Sequence, residues 1–204
     1  QHWLNRDTLV QSKRNIAAHY DLGNTFFEQF LDQTMTYSSG YFVDPQQTML
    51  EGSEQKLDLI CKKMQLKSSD HILEIGTGWG GFALHAAKHY GCKVTTTTIS
   101  PAQFEWAAER VREANLEDRI ELLQLDYRRL EGRFDKIVSI EMIEAVGLKF
   151  LPLFFETCAG LLRPGGSMLL QAITIAEQRF EAAKRSVDFI QRYIFPGGAL
   201  ASVN

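Results

Sequence analysis

A single α/β domain built on a parallel sheet is the fold this sequence predicts, and three observations carry that expectation. The run Ile72-Leu73-Glu74-Ile75-Gly76-Thr77-Gly78-Trp79-Gly80-Gly81 reads as an apolar strand that breaks into a glycine-rich turn and opens a helix. Strand-like and helix-like patterns then alternate down to about residue 174, the order that produces parallel βαβ units. At 204 residues with 45% hydrophobic side chains, the chain can bury one sizeable core and gives no reason to invoke a second.

Residues 1–52 are rich in aromatic and turn residues, with helical stretches expected near 9–19 and 25–31, and read as a helical cap preceding the sheet. The sheet domain is expected over 53–204. Ser53 is suited to N-cap a helix whose apolar residues Leu57, Ile60, Cys61 and Met64 follow the spacing of one buried face. Then come strand 71–75, helix 80–90, strand 94–99, helix 101–114, strand 120–125, strand 136–140, helix 150–162 and strand 167–174. Phe104, Ala107, Ala108 and Val111 give one helix its inward stripe, and Leu151, Phe154, Phe155, Cys158 and Leu162 give another theirs. Residues 176–193 read as a charged helix or pair of helices.

Bulk properties exclude several partners. A net charge of −3 offers no global basic field for nucleic acid. The three cysteines, Cys61, Cys92 and Cys158, lack CxxC spacing and fit a reducing compartment better than a disulfide framework. No apolar run is long enough to span a bilayer, and no signal peptide is evident. His85 and His89 lie one helical turn apart, but without a neighbouring Glu or a third ligand they do not predict a metal.

The glycine run is a nucleotide cradle in kind: Gly76 permits the tight turn, Gly78 bares the backbone toward a ligand, and Gly81 is expected to let the helix pack closely on the strand. Such spacing serves NAD, FAD and S-adenosylmethionine (SAM) alike. A dinucleotide fold usually places Asp or Glu about twenty residues onward, where this chain has Thr98 at the end of Lys93-Val94-Thr95-Thr96-Thr97-Thr98-Ile99. Leu123-Gln124-Leu125-Asp126-Tyr127 ends a third strand with an acid and an aromatic ring, and Leu161-Leu162-Arg163-Pro164-Gly165-Gly166 joins a helix to a buried strand. The set resembles the Rossmann-like SAM-dependent methyltransferase fold, with strand order 3-2-1-4-5 and the cofactor over strands one to three. That resemblance implies SAM contacts from Gly76, Thr77 and Gly78, from Thr98, Ile99 and Gln103, and from Asp126 and Tyr127. Asp126 can instead cap local amides, and Ser100-Pro101-Ala102-Gln103 is also a helix-capping sequence.

A narrower resemblance runs through nearly the whole chain. His19-Tyr20-Asp21-Leu22-Gly23-Asn24, Met35-Thr36-Tyr37-Ser38-Ser39-Gly40-Tyr41-Phe42, Ser139-Ile140-Glu141-Met142-Ile143-Glu144-Ala145-Val146-Gly147 and Ile194-Phe195-Pro196-Gly197-Gly198 look like the cyclopropane-fatty-acyl-phospholipid synthase family. The resemblance implies methyl transfer from SAM to the cis double bond of an unsaturated phospholipid acyl chain, giving a cyclopropane. Tyr37 and Ser38 match cofactor-touching positions; ordinary aromatic packing is their other reading. A bicarbonate ion acts as general base in the family, and the resemblance sets it near Ser39, Glu144, Gln171 and Ile173, with Glu144 favoured over its neighbour Glu141. It also implies a cytoplasmic protein peripheral to the inner membrane face, compatible with a homodimer, and further strands beyond residue 198. Many synthases have Cys where Ser39 stands, and His where Ala145 and Gln171 stand. Related branches make methyl-branched or methylene lipids or methylate small amines, and loss of catalysis would leave a SAM- or lipid-binding module. An acyl chain would approach through the aromatic cap, Phe26, Phe27, Phe30, Tyr37, Tyr41 and Phe42.

Overall fold

The computed structural model describes residues 23–203. Five parallel strands, β1 (His71–Ile75), β2 (Lys93–Thr97), β3 (Ile120–Leu123), β4 (Phe134–Ile140) and β5 (Leu162–Gln171), form one sheet in the order β3-β2-β1-β4-β5. This is the expected order. The connecting helices are α1 (Asn24–Phe27), α2 (Met49–Lys63), α3 (Gly81–Tyr90), α4 (Pro101–Glu113), α5 (Leu151–Leu161) and α6 (Glu177–Lys184).

Side chains alternate across β1 and feed two cores. Ile72 meets Leu57, Ile60, Phe82, Ala86 and Val94 under α2 and α3, while Leu73 and Ile75 meet Ile137, Phe154, Cys158 and Leu161 under α5. A third, smaller cluster of Phe27, Met35 and Trp79 seats the cap. Arg110 of α4 fastens it, donating to the backbone oxygens of Thr34 (2.9 Å), Gln33 (3.1 Å) and Trp79 (2.8 Å).

Several expected boundaries shift for identifiable reasons. Helix α2 begins at Met49, because Thr48 and Glu51 make a capping box whose N-cap lies five residues ahead of Ser53, the expected one. Ser53 therefore lies inside the helix, where its hydroxyl donates to Asp32 Oδ2 at 2.5 Å and ties α2 to the cap. Ser100 does cap α4, accepting the Gln103 N–H at 3.3 Å. Strand β5 starts at Leu162 and runs through Pro164, with a register break against β4 between Phe134 and Lys136. The expected helix at 25–31 shortens to Asn24–Phe27; that near 9–19 falls outside the described residues. The charged segment after β5 is α6 followed by a π-turn at Ile190–Ile194. Gly81 serves the cap and not the strand: a Cβ there would sit 2.7 Å from Thr36 Oγ1 and 3.0 Å from the Thr34 carbonyl.

Candidate active site

The carboxyl ends of the five strands open into one continuous cavity of about 1210 Å³. That exceeds the ~300–1,000 Å³ usual for one small ligand and leaves room for two reactants side by side. Tyr37, Ser38, Ser39, Gly76, Thr77 and Gly78 line it, as do Thr98, Ile99, Gln103, Asp126 and Tyr127. Glu144, Gln171 and Ile173 complete the expected set on its wall, together with Glu141.

On the β1–β3 side, the turn after β1 is held by Gly76 and Thr77 N–H donation to the Thr97 carbonyl, at 3.1 and 3.0 Å. Gly76, Gly78 and Gly80 all have positive φ, at 102°, 53° and 89°, which glycine adopts without steric penalty. A Cβ on Gly78 would meet nothing within 4 Å, so bare backbone faces open space there. Beneath the turn, Thr77 Oγ1 pairs with Thr96 Oγ1 at 2.7 Å, and Thr96 donates to Glu74 Oε2 at 2.6 Å. Burial pushes the Glu74 carboxyl up to about 8, opposed by the Thr96 hydrogen bond. At the end of β2, Thr98 donates to Gln103 Oε1 at 3.0 Å.

Asp126 is buried and fulfils its capping alternative, accepting the Arg128 N–H at 3.0 Å. It also forms a two-pronged ion pair with the Arg128 guanidinium, at 2.8 and 2.6 Å. Tyr127 packs edge-on against Phe154 with centroids 5.4 Å apart, and the Arg128 guanidinium stands 5.5 Å from its ring centre. Neither contact was legible as such.

The β4–β5 side rearranges the expected catalytic group. Ser39 and Gln171 converge on Glu141, not Glu144. The Ser39 N–H (3.2 Å), its hydroxyl (3.1 Å) and Gln171 Nε2 (2.6 Å) all donate to Glu141 Oε1. Glu141 holds φ +46°, a left-handed conformation costing about 1–2 kcal/mol for a residue with a side chain. Such strain concentrates at functional sites. Glu144 instead accepts the Ile173 N–H on Oε1, while its buried Oε2 has no hydrogen-bond partner. Burial pushes the Glu144 carboxyl above its usual range, with the Glu141 charge adding to it against two backbone hydrogen bonds. Bicarbonate does not fit this arrangement: the donors of Ser39, Gln171 and Ile173 already end on carboxylates of the chain, and of the four expected partners only Glu144, through Oε2, keeps a buried side-chain polar atom unengaged.

Lys56 is a site residue that sequence reasoning missed. Only 5% exposed, it donates to Ser38 Oγ. Burial draws its ammonium down to about 8, while the Glu141 and Asp32 charges counteract. Nothing in the helical pattern marks one lysine among many as buried; the signal lies in contacts with residues far along the chain.

Of the six cap aromatics, Phe30, Tyr37 and Tyr41 line the cavity. Phe27 is core and packs on Trp79 at 4.8 Å, whereas Phe42 lies against Gly40 and Gly52. Apolar walls extend from Met49 and Leu57 to Ile175, Ile190, Phe195 and Leu200. Among the described residues, no helix is long and apolar enough to cross a membrane, and no group of three His, Cys, Asp or Glu could hold a metal.

The family model for mycolic acid cyclopropane synthetase matches residues 7–204. Tuberculostearic acid methyltransferase of Mycobacterium tuberculosis is 42% identical over 199 residues, covering 94% of this chain and 46% of that protein. Cyclopropane-fatty-acyl-phospholipid synthase of Escherichia coli is 41% identical over 200 residues, covering 95% and 50%. The chain thus spans about half the length of the curated relatives it matches. A solved mycolic acid cyclopropane synthase in complex with SAH and CTAB superposes with a TM-score of 0.87 at 32% identity, covering 94% of this chain and 70% of that one. With its sheet order, its glycine turn and this match along almost its whole length, the chain belongs to the mycolic acid cyclopropane synthetase family.

Proposed function

We propose that the protein carrying this chain transfers a methyl group from SAM to the cis double bond of an unsaturated phospholipid acyl chain. The observation that carries the reading is the single cavity that joins the glycine turn to the Glu141 and Glu144 carboxyls and continues along apolar walls. Family membership and relatives named for lipid methylation support it. Its chemistry would place the protein at a membrane surface, on the cytoplasmic side by the family resemblance, with residues 1–52 as a cap over the 53–204 core.

The residues fit SAM. Bare backbone at Gly78 admits a ligand where a side chain would intrude, and buried Gln103 and Asp126 supply polar ends for its adenosine and methionine portions. When bound, the cofactor supplies an electrophilic methyl: the alkene π pair forms the new C–C bond, the S–CH₃ pair leaves on sulfur, and the acyl chain becomes a carbocation. The protein must then do two things. The apolar walls exclude water, which would trap the cation as an alcohol. A base at the β4–β5 side removes a proton so that the ring closes.

Methyl-branched or methylene lipid is the second reading, favoured by the tuberculostearic acid methyltransferase match and by Ser39 and Gln171, neither of which titrates near neutrality. Incubating the full-length protein with unsaturated phospholipid vesicles and methyl-labelled SAM tests both. Mass spectrometry of the released fatty acids should show one labelled carbon added to the acyl chain, and chromatography against standards separates cyclopropane from branched and methylene products. Label absent from every acyl chain, in a protein that binds SAM, would refute the lipid reading.

A further inference from the structure

Ser39 and Gln171 are two of the four groups the family resemblance assigns to a bicarbonate ion, and in this chain their donors already end on a protein carboxylate. Three hydrogen bonds meet at Glu141 Oε1, and Gln171 Nε2 braces the group further by reaching Ser39 Oγ at 3.2 Å. The other two expected partners, Glu144 and the Ile173 N–H, are bonded to each other. Donors converging on one oxygen make an oxyanion site. Carboxylate and bicarbonate present the same planar, negatively charged O–C–O edge to such donors, so one can stand for the other.

We propose that the Glu141 carboxylate is a built-in replacement for bicarbonate, occupying the anion position and accepting the proton that the reaction releases. The proposal rests on the lipid methyltransferase reading and identifies that reaction's base. Glu141 Oε2 accepts no hydrogen bond from any described residue, so one oxygen anchors the group while the other remains available. In the step itself, a C–H bond of the newly added methyl breaks. Its electron pair forms the third ring bond to the cationic carbon, or, after a 1,2-hydride shift, the C=C bond of a methylene product. The proton goes to Glu141 Oε2 and returns to water once product has left. Glu144 is a positioning residue: Oε1 fixes the Ile173 N–H, and its backbone carbonyl fixes the Ala199 N–H at 2.8 Å.

The Glu141 backbone supports the assignment. Its N–H is held by the Gln171 carbonyl at 2.9 Å, so the left-handed turn and the donor that grips the side chain belong to the same junction. Lys56 lies near enough for the Glu141 charge to favour its ammonium. A buried cation beside this carboxylate helps it stand in for a small anion.

The test uses the full-length protein and has two arms. In the first, ¹³C-bicarbonate is titrated against the wild type and Glu141→Gly and followed by NMR line width. Glycine adopts φ +46° without strain, so this variant removes the carboxylate and keeps the turn. Saturable bicarbonate binding by Glu141→Gly but not by the wild type is expected; binding by the wild type at this site, lost on blocking the cavity, overturns the proposal. In the second arm, turnover is measured in CO₂-free buffer. The wild-type rate should be unchanged by added bicarbonate, Glu141→Gln should lose about 10²- to 10⁴-fold while keeping SAM affinity, and bicarbonate or formate should partly rescue Glu141→Gly. A wild-type rate that collapses without bicarbonate, or a Glu141→Gln rate equal to wild type, overturns it. If the wild type methylates no acyl chain at all, the lipid reading fails, and the NMR arm still decides what occupies the anion position.

Discussion

Replacing Gly78 with leucine separates a ligand cradle from a mere turn. A Cβ at this position meets no atom within 4 Å, so the leucine side chain projects into the cavity and not into the fold. The folded protein then loses only the backbone strain of φ +53°, about 1–2 kcal/mol. The ligand loses the space itself, and a rise in the SAM dissociation constant of at least about 100-fold is expected. At a SAM concentration 100 times the wild-type constant, ligand binding stabilises the wild type by about 2.7 kcal/mol. The same concentration stabilises the variant by RT ln 2, about 0.4 kcal/mol. For a chain of this size each kcal/mol moves the melting midpoint by about 2–4 °C, so SAM should raise the wild-type Tm by about 5–11 °C and the variant's by about 1–2 °C. Differential scanning fluorimetry reads the shift, and calorimetry reads the constant directly. A folded Gly78→Leu protein with wild-type SAM affinity would show that the ligand lies elsewhere.

Two further outcomes follow from the same geometry. In an ordinary helix Gly→Ala gains up to about 1 kcal/mol, but Gly81→Ala should destabilise by about 1–3 kcal/mol, because Thr34 is pinned by Arg110 and cannot retreat from the new methyl; a higher urea midpoint for the variant would contradict this. Glu74, with its carboxyl raised to about 8 in the fold against about 4.3 in the unfolded chain, keeps a proton that the unfolded chain gives up. Its contribution is therefore complete below about pH 4.3 and is lost as pH rises toward and through about 8, a loss of a few kcal/mol. Glu74→Gln should flatten the fall in urea midpoint between pH 5.5 and 8.5, and an equally steep fall in the variant would reassign it.

The sheet was legible because its signals are local. Glycines punctuate β1, apolar runs mark β2 and β4, and Ser100-Pro101 starts α4, each readable within a few residues. Where local signals compete, reading fails: Ser53 and Thr48 are both plausible caps, and the Glu51 carboxylate three residues after Thr48 decides for the earlier start. The cavity lining was legible too, because residues at the carboxyl ends of parallel strands share one edge whatever their identities.

What was not legible is which of two neighbouring carboxylates takes the central place. Glu141 and Glu144 both follow β4, and their spacing says nothing about partners that lie 102 residues upstream at Ser39 and 30 residues downstream at Gln171. The deciding feature is backbone conformation. Glutamate carries no sequence preference for positive φ, so nothing announces that the chain turns left-handed at Glu141. That conformation costs the fold stability at a residue whose side chain gives three hydrogen bonds their common acceptor. A surface glutamate would relax out of it, so the contacts that hold it there must outweigh the strain. This one residue therefore ties the least predictable feature of the backbone to a carboxylate on the cavity wall, and under the role proposed for it the serine and glutamine at positions 39 and 171 suffice: they need only hold the carboxylate, since neither has to accept the proton.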